Sequence, residues 1–216
     1  FNVQEAQMKD QVVLASQVIS SSDPLIRHNT VITIRNGIIS DISDMPEGFS
    51  PPDDAIVHDW RDHAVIPGLI DCHDHLGLET GDEHAQAMEH DFINVLRGVQ
   101  NARKLLSAGI TTLRSVGEKN YMDVYWRDAI EKGWMPGPRL VICCKFISRT
   151  GGHAWYLGKE ADGPHEIRKA VREQIKNGAD AIKLMITGGA STNGSAPTVS
   201  DYTEEEIRAA IEEAHR

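Results

Sequence analysis

Two histidines, His73 and His75, follow an apolar run at residues 65–71. If this run forms a buried strand, residues two apart project from the same face and lie about 6–7 Å apart. Two imidazoles on one face can converge on a single metal ion, because metals bind histidine nitrogens at roughly 2.0–2.1 Å. The alternative is a polar strand end whose histidines contact solvent. The apolar lead-in and the neighbouring aspartates favour the metal site.

A lysine, Lys183, lies inside another apolar run at residues 179–186. Burying an ammonium group without a partner costs several kcal/mol, so burial favours the neutral, nucleophilic amine. Such an amine can form a Schiff base, or it can react with carbon dioxide to give a carbamate that ligates metal. The alternatives are an ion pair with a carboxylate and a side chain that extends from the strand end to solvent.

Two more polar residues accompany apolar runs. His153 follows a glycine pair after the run at residues 138–147, and we predict that it contacts a substrate or its developing charge. A loop histidine without such a role is the alternative. Arg114 lies within the run at residues 109–116, where we expect it to pair with a buried acid near the site.

These residues belong to a region, from Ala64 onward, in which apolar runs alternate with helical periodicity. The predicted strands are residues 65–71, 109–116, 138–147 and 179–186. The predicted helices are residues 83–107, 121–132, 164–177 and 203–216, the last opening with a capping box. Near-continuous apolar strands separated by helices predict a parallel sheet covered by helices. In such folds the site lies at the carboxyl ends of the strands, where the three histidines fall.

The first 63 residues differ from the rest. Runs of β-branched residues, a hairpin signal at Asn36-Gly37 and several prolines predict a small all-β unit. We find no candidate chemistry in it. The sequence therefore predicts two domains, residues 1–63 and residues 64–216.

The composition bears on partners and compartment. The net charge is −10 and the acidic residues are spread along the 216-residue chain, which argues against nucleic acid as a partner. No stretch approaches the roughly 20 apolar residues of a membrane helix, so no membrane partner is expected. Three cysteines, of which Cys143 and Cys144 are adjacent core candidates, give no disulfide framework. We therefore expect a reducing compartment, the cytoplasm.

Four βα units admit two architectures. They would complete an open doubly wound sheet, or they would form half of a (β/α)₈ barrel, which usually needs about 250 residues. The first strand lacks a Gly-X-Gly-X-X-Gly turn into its helix, so a dinucleotide-binding half is not supported.

Four segments taken together resemble the metal-dependent amidohydrolase superfamily, and within it the imidazolonepropionase-related peptidases that cleave Xaa-Pro or acyl-amino-acid bonds. The segments are residues 67–75, 109–114, 150–153 and 178–183. The resemblance implies an α/β fold: the first four βα units of a TIM-like (β/α)₈ barrel, preceded by part of a small β-sandwich at residues 1–63.

The resemblance also implies roles for individual residues. His73 and His75 would bind one metal ion, and Lys183, as its carbamate, would bridge two divalent ions, for which zinc is the expected metal. His153 would contact the substrate, a small molecule or a dipeptide. The expected reaction is hydrolysis of an amide or peptide bond. The alternative activities are those of a cyclic-amide hydrolase or a deaminase of the same superfamily.

Family members supply two further histidines and an aspartate from strands five to eight, and the 216 residues contain none of these segments. The chain thus resembles the N-terminal half of a longer protein. Its expected partners are the missing C-terminal half and, because half a barrel leaves an open sheet edge, a second copy of itself. Alone, such a half is expected to be a fragment without activity.

Overall fold

The computed structural model describes residues 9–20, 23–190 and 192–216. The chain divides into two compact units, Phe1–Pro67 and Gly68–Arg216. Helices are interspersed with parallel strands through the second unit, so the prediction of an α/β fold is confirmed. In the part of the chain that the structure describes, no helix has the length and apolar character needed to cross a membrane.

The first unit contains one four-stranded sheet with the order β3-β2-β1-β4. Its strands are β1 (Gln11–Ser20), β2 (Asp23–Arg35), β3 (Ile38–Asp44) and β4 (Ile56–Val65). The predicted hairpin is confirmed: Asn36 and Gly37 link β2 to β3 with φ angles of 51° and 76°. Both residues tolerate this left-handed conformation, which a two-residue hairpin turn requires.

The second unit is built around a parallel sheet with the order β5-β6-β7. Its strands are β5 (Leu69–Asp74), β6 (Ile110–Ser115), β7 (Arg139–Ile142), β8 (Ile147–Ser148) and β9 (Lys159–Glu160). Its helices are α1 (Glu83–Met88), α2 (Asp91–Ser107), α3 (Met122–Glu131), α4 (Gly163–Lys176) and α5 (Glu204–Ala214). The capping box predicted for the last helix is present at Thr203 and Glu206.

Two predicted elements have different limits in the structure. The first strand begins at Leu69, not at residue 65, because Val65 still belongs to β4 and Pro67 has no N–H for a ladder. The helix predicted at residues 83–107 is two helices. Glu89 has an extended backbone, and the ring of His90 accepts a hydrogen bond from the Phe92 amide (3.3 Å) to begin α2.

The third predicted strand is interrupted at Cys144, which has a φ of 58°. Its amide donates a hydrogen bond to the buried Asp123 carboxylate (2.8 Å). The strand therefore ends at Ile142 and resumes only at Ile147.

The fourth predicted strand, at residues 179–186, forms only one isolated bridge in the described residues, between Leu184 and Ile147. The Ile147 amide donates to the Lys183 carbonyl (2.9 Å), and the Met185 amide donates to the Ile147 carbonyl (2.8 Å). The interruption at Cys144 removes the regular partner that a longer ladder would need. The segment nevertheless lies parallel to β8, in the order that the sequence predicted.

Two apolar clusters hold the strands and helices of the second unit together. Leu113, Trp126 and Ile142 pack with their neighbours between the sheet and helices α2 and α3, whereas Ile167 and Val171 pack in a cluster with residues of α5. Each of these side chains is buried. The predicted placement of both adjacent cysteines in the core is confirmed, since Cys143 and Cys144 are buried.

Gly98→Ala should destabilise the protein. Alanine improves helix propensity by about 1 kcal/mol, but its Cβ would lie 2.1 Å from Cζ2 of the buried Trp126. Overpacking of this kind costs about 1–3 kcal/mol, occasionally more, so the clash outweighs the propensity. Denaturant unfolding measures the effect. Gln100→Ala, on an exposed position of the same helix, should change stability by less than about 0.5 kcal/mol. A Gly98→Ala protein as stable as the native one would contradict the packing argument.

Candidate active site

Four of the five residues singled out in the sequence line one cavity of about 500 Å³ in the second unit. His73 and His75 reach it from the carboxyl end of β5, His153 from the loop after β8, and Lys183 from the segment beside β8. Residues up to 110 positions apart along the chain are thus gathered at one place. The rest of the wall combines apolar side chains, including the fully buried Phe146, with the polar side chains of Glu83 and Thr187.

The two histidines are held by the acids beside them. The His73 amide donates to the Asp71 carboxylate (2.9 Å), and the His75 amide donates to the Asp74 carboxylate (2.8 Å). The pairing of β5 with β6 is irregular between Asp71 and Asp74, so strict alternation along a strand does not place the pair. Their ring centres nevertheless lie 6.1 Å apart, which is close enough for both to approach one ion.

The protonation of His75 follows from its partner. Nδ1 lies 2.6 Å from the Gly117 carbonyl oxygen, and a carbonyl only accepts, so Nδ1 carries the proton. Nε2 is left with a free lone pair, as in histidines that ligate metals. Burial lowers the pKa of His75, although the Gly117 carbonyl partly opposes this. The ring is therefore a neutral ligand-type imidazole.

Lys183 is half-buried in the cavity wall. Burial lowers its pKa, the Cys143 thiol opposes the shift, and the positive charge of Arg114 adds to it. No carboxylate of the described residues forms an ion pair with its Nζ. The structure therefore does not support the alternative of a Lys183–carboxylate pair. In these same residues no group of three or more His, Cys, Asp or Glu side chains is placed to hold a metal.

The prediction for Arg114 was wrong. Its guanidinium donates from Nε to the Cys72 carbonyl oxygen (2.7 Å), not to a buried acid. The side chain is exposed, so it has no desolvation cost that would require a carboxylate partner. This hydrogen bond connects β6 to β5, the strand from which His73 and His75 reach the cavity.

Two buried acids under the site were not anticipated. The Glu118 carboxylate accepts hydrogen bonds from the Gly77 amide (3.3 Å) and the Ser115 hydroxyl (3.3 Å). Burial raises its pKa to about 8, helped by the charge of Asp123. Burial likewise raises the pKa of Asp123 to about 6. Glu118 follows the carboxyl end of the second predicted strand, and that position is the signal by which it could have been found.

The fold is an α/β domain with this cavity at the carboxyl ends of its parallel strands, the place where such folds carry their sites. The chain belongs to the amidohydrolase family, whose model matches residues 64–216. The resemblance seen in the sequence motifs is thereby confirmed.

Individual relatives are similar over much of the chain. The ochratoxinase of Aspergillus niger is 28% identical over a match that covers 71% of this chain and 37% of the relative. A solved Xaa-Pro dipeptidase with bound methionine in its active site is 31% identical, with a TM-score of 0.88 over 96% of this chain and 54% of that one. The imidazolonepropionase of Salmonella arizonae is 33% identical, covering 34% of this chain and 19% of the relative. The chain thus spans about half the length, or less, of the proteins it matches.

Replacing Glu118 by glutamine should change how stability depends on pH. The pKa of Glu118 is about 8 in the folded protein and near 4.5 when unperturbed. Between these values the unfolded chain releases the proton and the folded one keeps it, so native stability falls as the pH rises. In Glu118→Gln this loss is absent. Its free energy of unfolding, relative to native, should therefore rise by a few kcal/mol from about pH 5 to about pH 8.

Denaturant unfolding at the two pH values measures this difference. The control is Glu131→Gln, an exposed position at the end of α3, which should keep the native pH dependence. Parallel pH dependences for native protein and Glu118→Gln would show that Glu118 is not held protonated.

Proposed function

We propose that the complete protein hydrolyses an amide or peptide bond with the help of divalent metal ions held in this cavity. His73, His75 and Lys183 are the proposed metal ligands, and His153 is the proposed substrate contact. The observation that carries the proposal is that all four side chains line one cavity. Membership of the amidohydrolase family supports it.

The proposed ligand atoms are of chemical types that bind divalent metal ions. The free Nε2 of His75 and the ring of His73 are nitrogen donors within 6.1 Å of each other, measured between ring centres. Lys183 contributes an amine whose ammonium form is disfavoured by burial. Attack of that amine on carbon dioxide forms an N–C bond, opens one C=O π bond and releases a proton, leaving a carbamate whose single negative charge is shared by two oxygens. Such a group can bridge two ions, for which zinc is the proposed metal.

Each part of the site then has a role. When bound, divalent ions polarise the substrate carbonyl and lower the pKa of water. His73 and His75 bind without adding charge, whereas the Lys183 carbamate would offset part of the positive charge of the ions. His153 lies on the same cavity and offers a ring nitrogen to a substrate oxygen. Phe146, buried behind the cavity, excludes water from one side.

The proposed barrel is supported by two uncovered apolar edges in the second unit. On β5, at one edge of the sheet, Leu69 and Ile70 are 50% and 67% exposed. On the other side, a groove of about 600 Å³ lies between the Lys183 segment and α5, lined by Ile182, Leu184 and Ile211. Further βα units of a (β/α)₈ barrel, or a second copy of the chain, would cover both.

The proposed substrates are Xaa-Pro dipeptides and acyl-amino acids, and the likeness to a solved Xaa-Pro dipeptidase supports the dipeptides. A cyclic amide is the second candidate, favoured by the likeness to an imidazolonepropionase. Assaying the protein that contains this chain on the three substrate types, with and without a chelator, tests the proposal. Turnover of none of them, or turnover that chelation leaves unchanged, would contradict it.

His73→Ala and His75→Ala should each lower metal affinity by more than about tenfold, because removing a ligand costs at least as much as disturbing its second shell. Metal content after dialysis, measured by atomic emission, gives the result without an activity assay. His63→Ala, an exposed histidine of the first unit, should keep the native content. Full occupancy in both site variants would rule out this pair as ligands.

The Lys183→Ala variant should lose both its hydrolase activity and the group that bridges the two metal ions. With ¹³C-bicarbonate, the metal-loaded native protein should show a carbamate carbon signal that Lys183→Ala lacks. Short carboxylic acids should restore part of the activity, since they supply the missing oxygens. Lys176→Ala, on an exposed position of α4, should keep both signal and activity. A native protein with two bound metals and no carbamate signal would overturn this role.

A further inference from the structure

A threonine beside the cavity contacts both His153 and the residue after it. The Thr192 hydroxyl oxygen accepts a hydrogen bond from the Ala154 amide (2.9 Å) and lies 3.3 Å from Nδ1 of His153. Thr192 is only 8% exposed. It lies outside the sequence segments that pointed to the site, and neither spacing nor residue type singled it out.

The donors and acceptors in this contact can be counted. A threonine hydroxyl has one proton to donate and two lone pairs. The Ala154 amide occupies one lone pair, so the hydroxyl proton needs an acceptor. Among the described residues, Nδ1 of His153 is the acceptor in contact with it. If Nδ1 carried the ring proton, a buried hydroxyl would be left without an acceptor, which folded proteins rarely tolerate.

The ring is also fixed in place. A Cβ at Gly189 would lie 2.1 Å from Nδ1 and 2.2 Å from Cε1 of His153, so the imidazole packs directly on the Gly189 backbone. Ser195 holds this loop, because its hydroxyl accepts from the Gly189 amide (3.0 Å) and its amide donates to the Thr192 carbonyl (3.1 Å). The loop that follows the Lys183 segment therefore positions the histidine.

We propose that Thr192 is a positioning residue that holds His153 in the neutral tautomer with its proton on Nε2. The proposal rests on the function proposed above, in which His153 contacts the substrate. With Nδ1 engaged by Thr192, Nε2–H is the group available to the cavity. His153 then acts as a hydrogen-bond donor to the carbonyl oxygen of the scissile amide, where negative charge develops, and not as a general base.

The tautomer can be read directly by NMR. In the full-length protein that contains this chain, labelled with ¹⁵N-histidine, long-range ¹H–¹⁵N correlation separates protonated from unprotonated ring nitrogens. Comparison with His153→Gln assigns the signals. The native protein should show a protonated Nε2 at His153. Thr192→Val, which keeps the shape and removes the hydroxyl, should shift the population toward the Nδ1–H form, whereas Thr192→Ser should retain the native pattern.

Kinetics provide the second readout. Thr192→Val should lower kcat/KM by roughly tenfold, the effect of about one hydrogen bond. The loss should appear in kcat more than in KM. The reason is that the hydrogen bond from Nε2–H of His153 strengthens as negative charge develops on the carbonyl oxygen of the scissile amide. Thr192→Ser should stay within about twofold of native. If Thr192→Val does not fold, Thr192→Ala removes the same hydroxyl and should give the same shift.

Two results would overturn the proposal: a native His153 protonated on Nδ1, or an unchanged Nε2–H form in the variants without the hydroxyl. Neither of these NMR results depends on catalytic turnover. Metal content should be native in all Thr192 variants, because Thr192 contacts none of the proposed ligands. Loss of metal binding in His73→Ala and His75→Ala therefore tests the proposed function separately from the tautomer.

Discussion

The turn after β6 is the constraint on which the site depends. Its Gly117 carbonyl oxygen lies 2.6 Å from Nδ1 of His75 and so places the ring proton on that nitrogen. The Glu118 amide donates to the Cys144 carbonyl (2.8 Å). The Glu118 carboxyl reaches back to the Gly77 amide. Gly117 has a φ of 131°, and a Cβ there would lie 2.4 Å from Phe146. One turn thus joins the ends of β5, β6 and β7, and both the φ angle and the close approach of Phe146 favour glycine at residue 117.

Burial, more than charge pairing, sets the chemistry of this end of the sheet. It raises the pKa of Glu118 to about 8 and of Asp123 to about 6, and it lowers the pKa of Lys183 and His75. In each case the neutral form is favoured, since the low-dielectric interior disfavours charge. These shifts agree with the proposed function, in which uncharged histidines and a Lys183 carbamate would hold the divalent ions.

Much of the fold followed from local patterns. The hairpin at Asn36-Gly37 and the capping box of α5 depend on residues adjacent in sequence, and both predictions are confirmed. The break before α2 could not be predicted, because distant contacts hold it: Arg97 pairs with the Glu89 carboxylate, and Lys119 donates to the Glu89 carbonyl (3.1 Å). The kink at Cys144 depends in the same way on the Asp123 carboxylate. Periodicity reports neighbours along the chain and carries no information about such contacts.

The sequence by itself determined the α/β order, the family and four of the side chains that line the cavity, since these depend on residue type and spacing. The tertiary structure decided which nitrogen of His75 is free, that Arg114 contacts a carbonyl, that Glu118 contacts the Gly77 amide and that Thr192 contacts His153. Those properties depend on distances of about 3 Å between residues that are mostly 39 to 42 positions apart. Only packing of the strands and loops against one another fixes such distances.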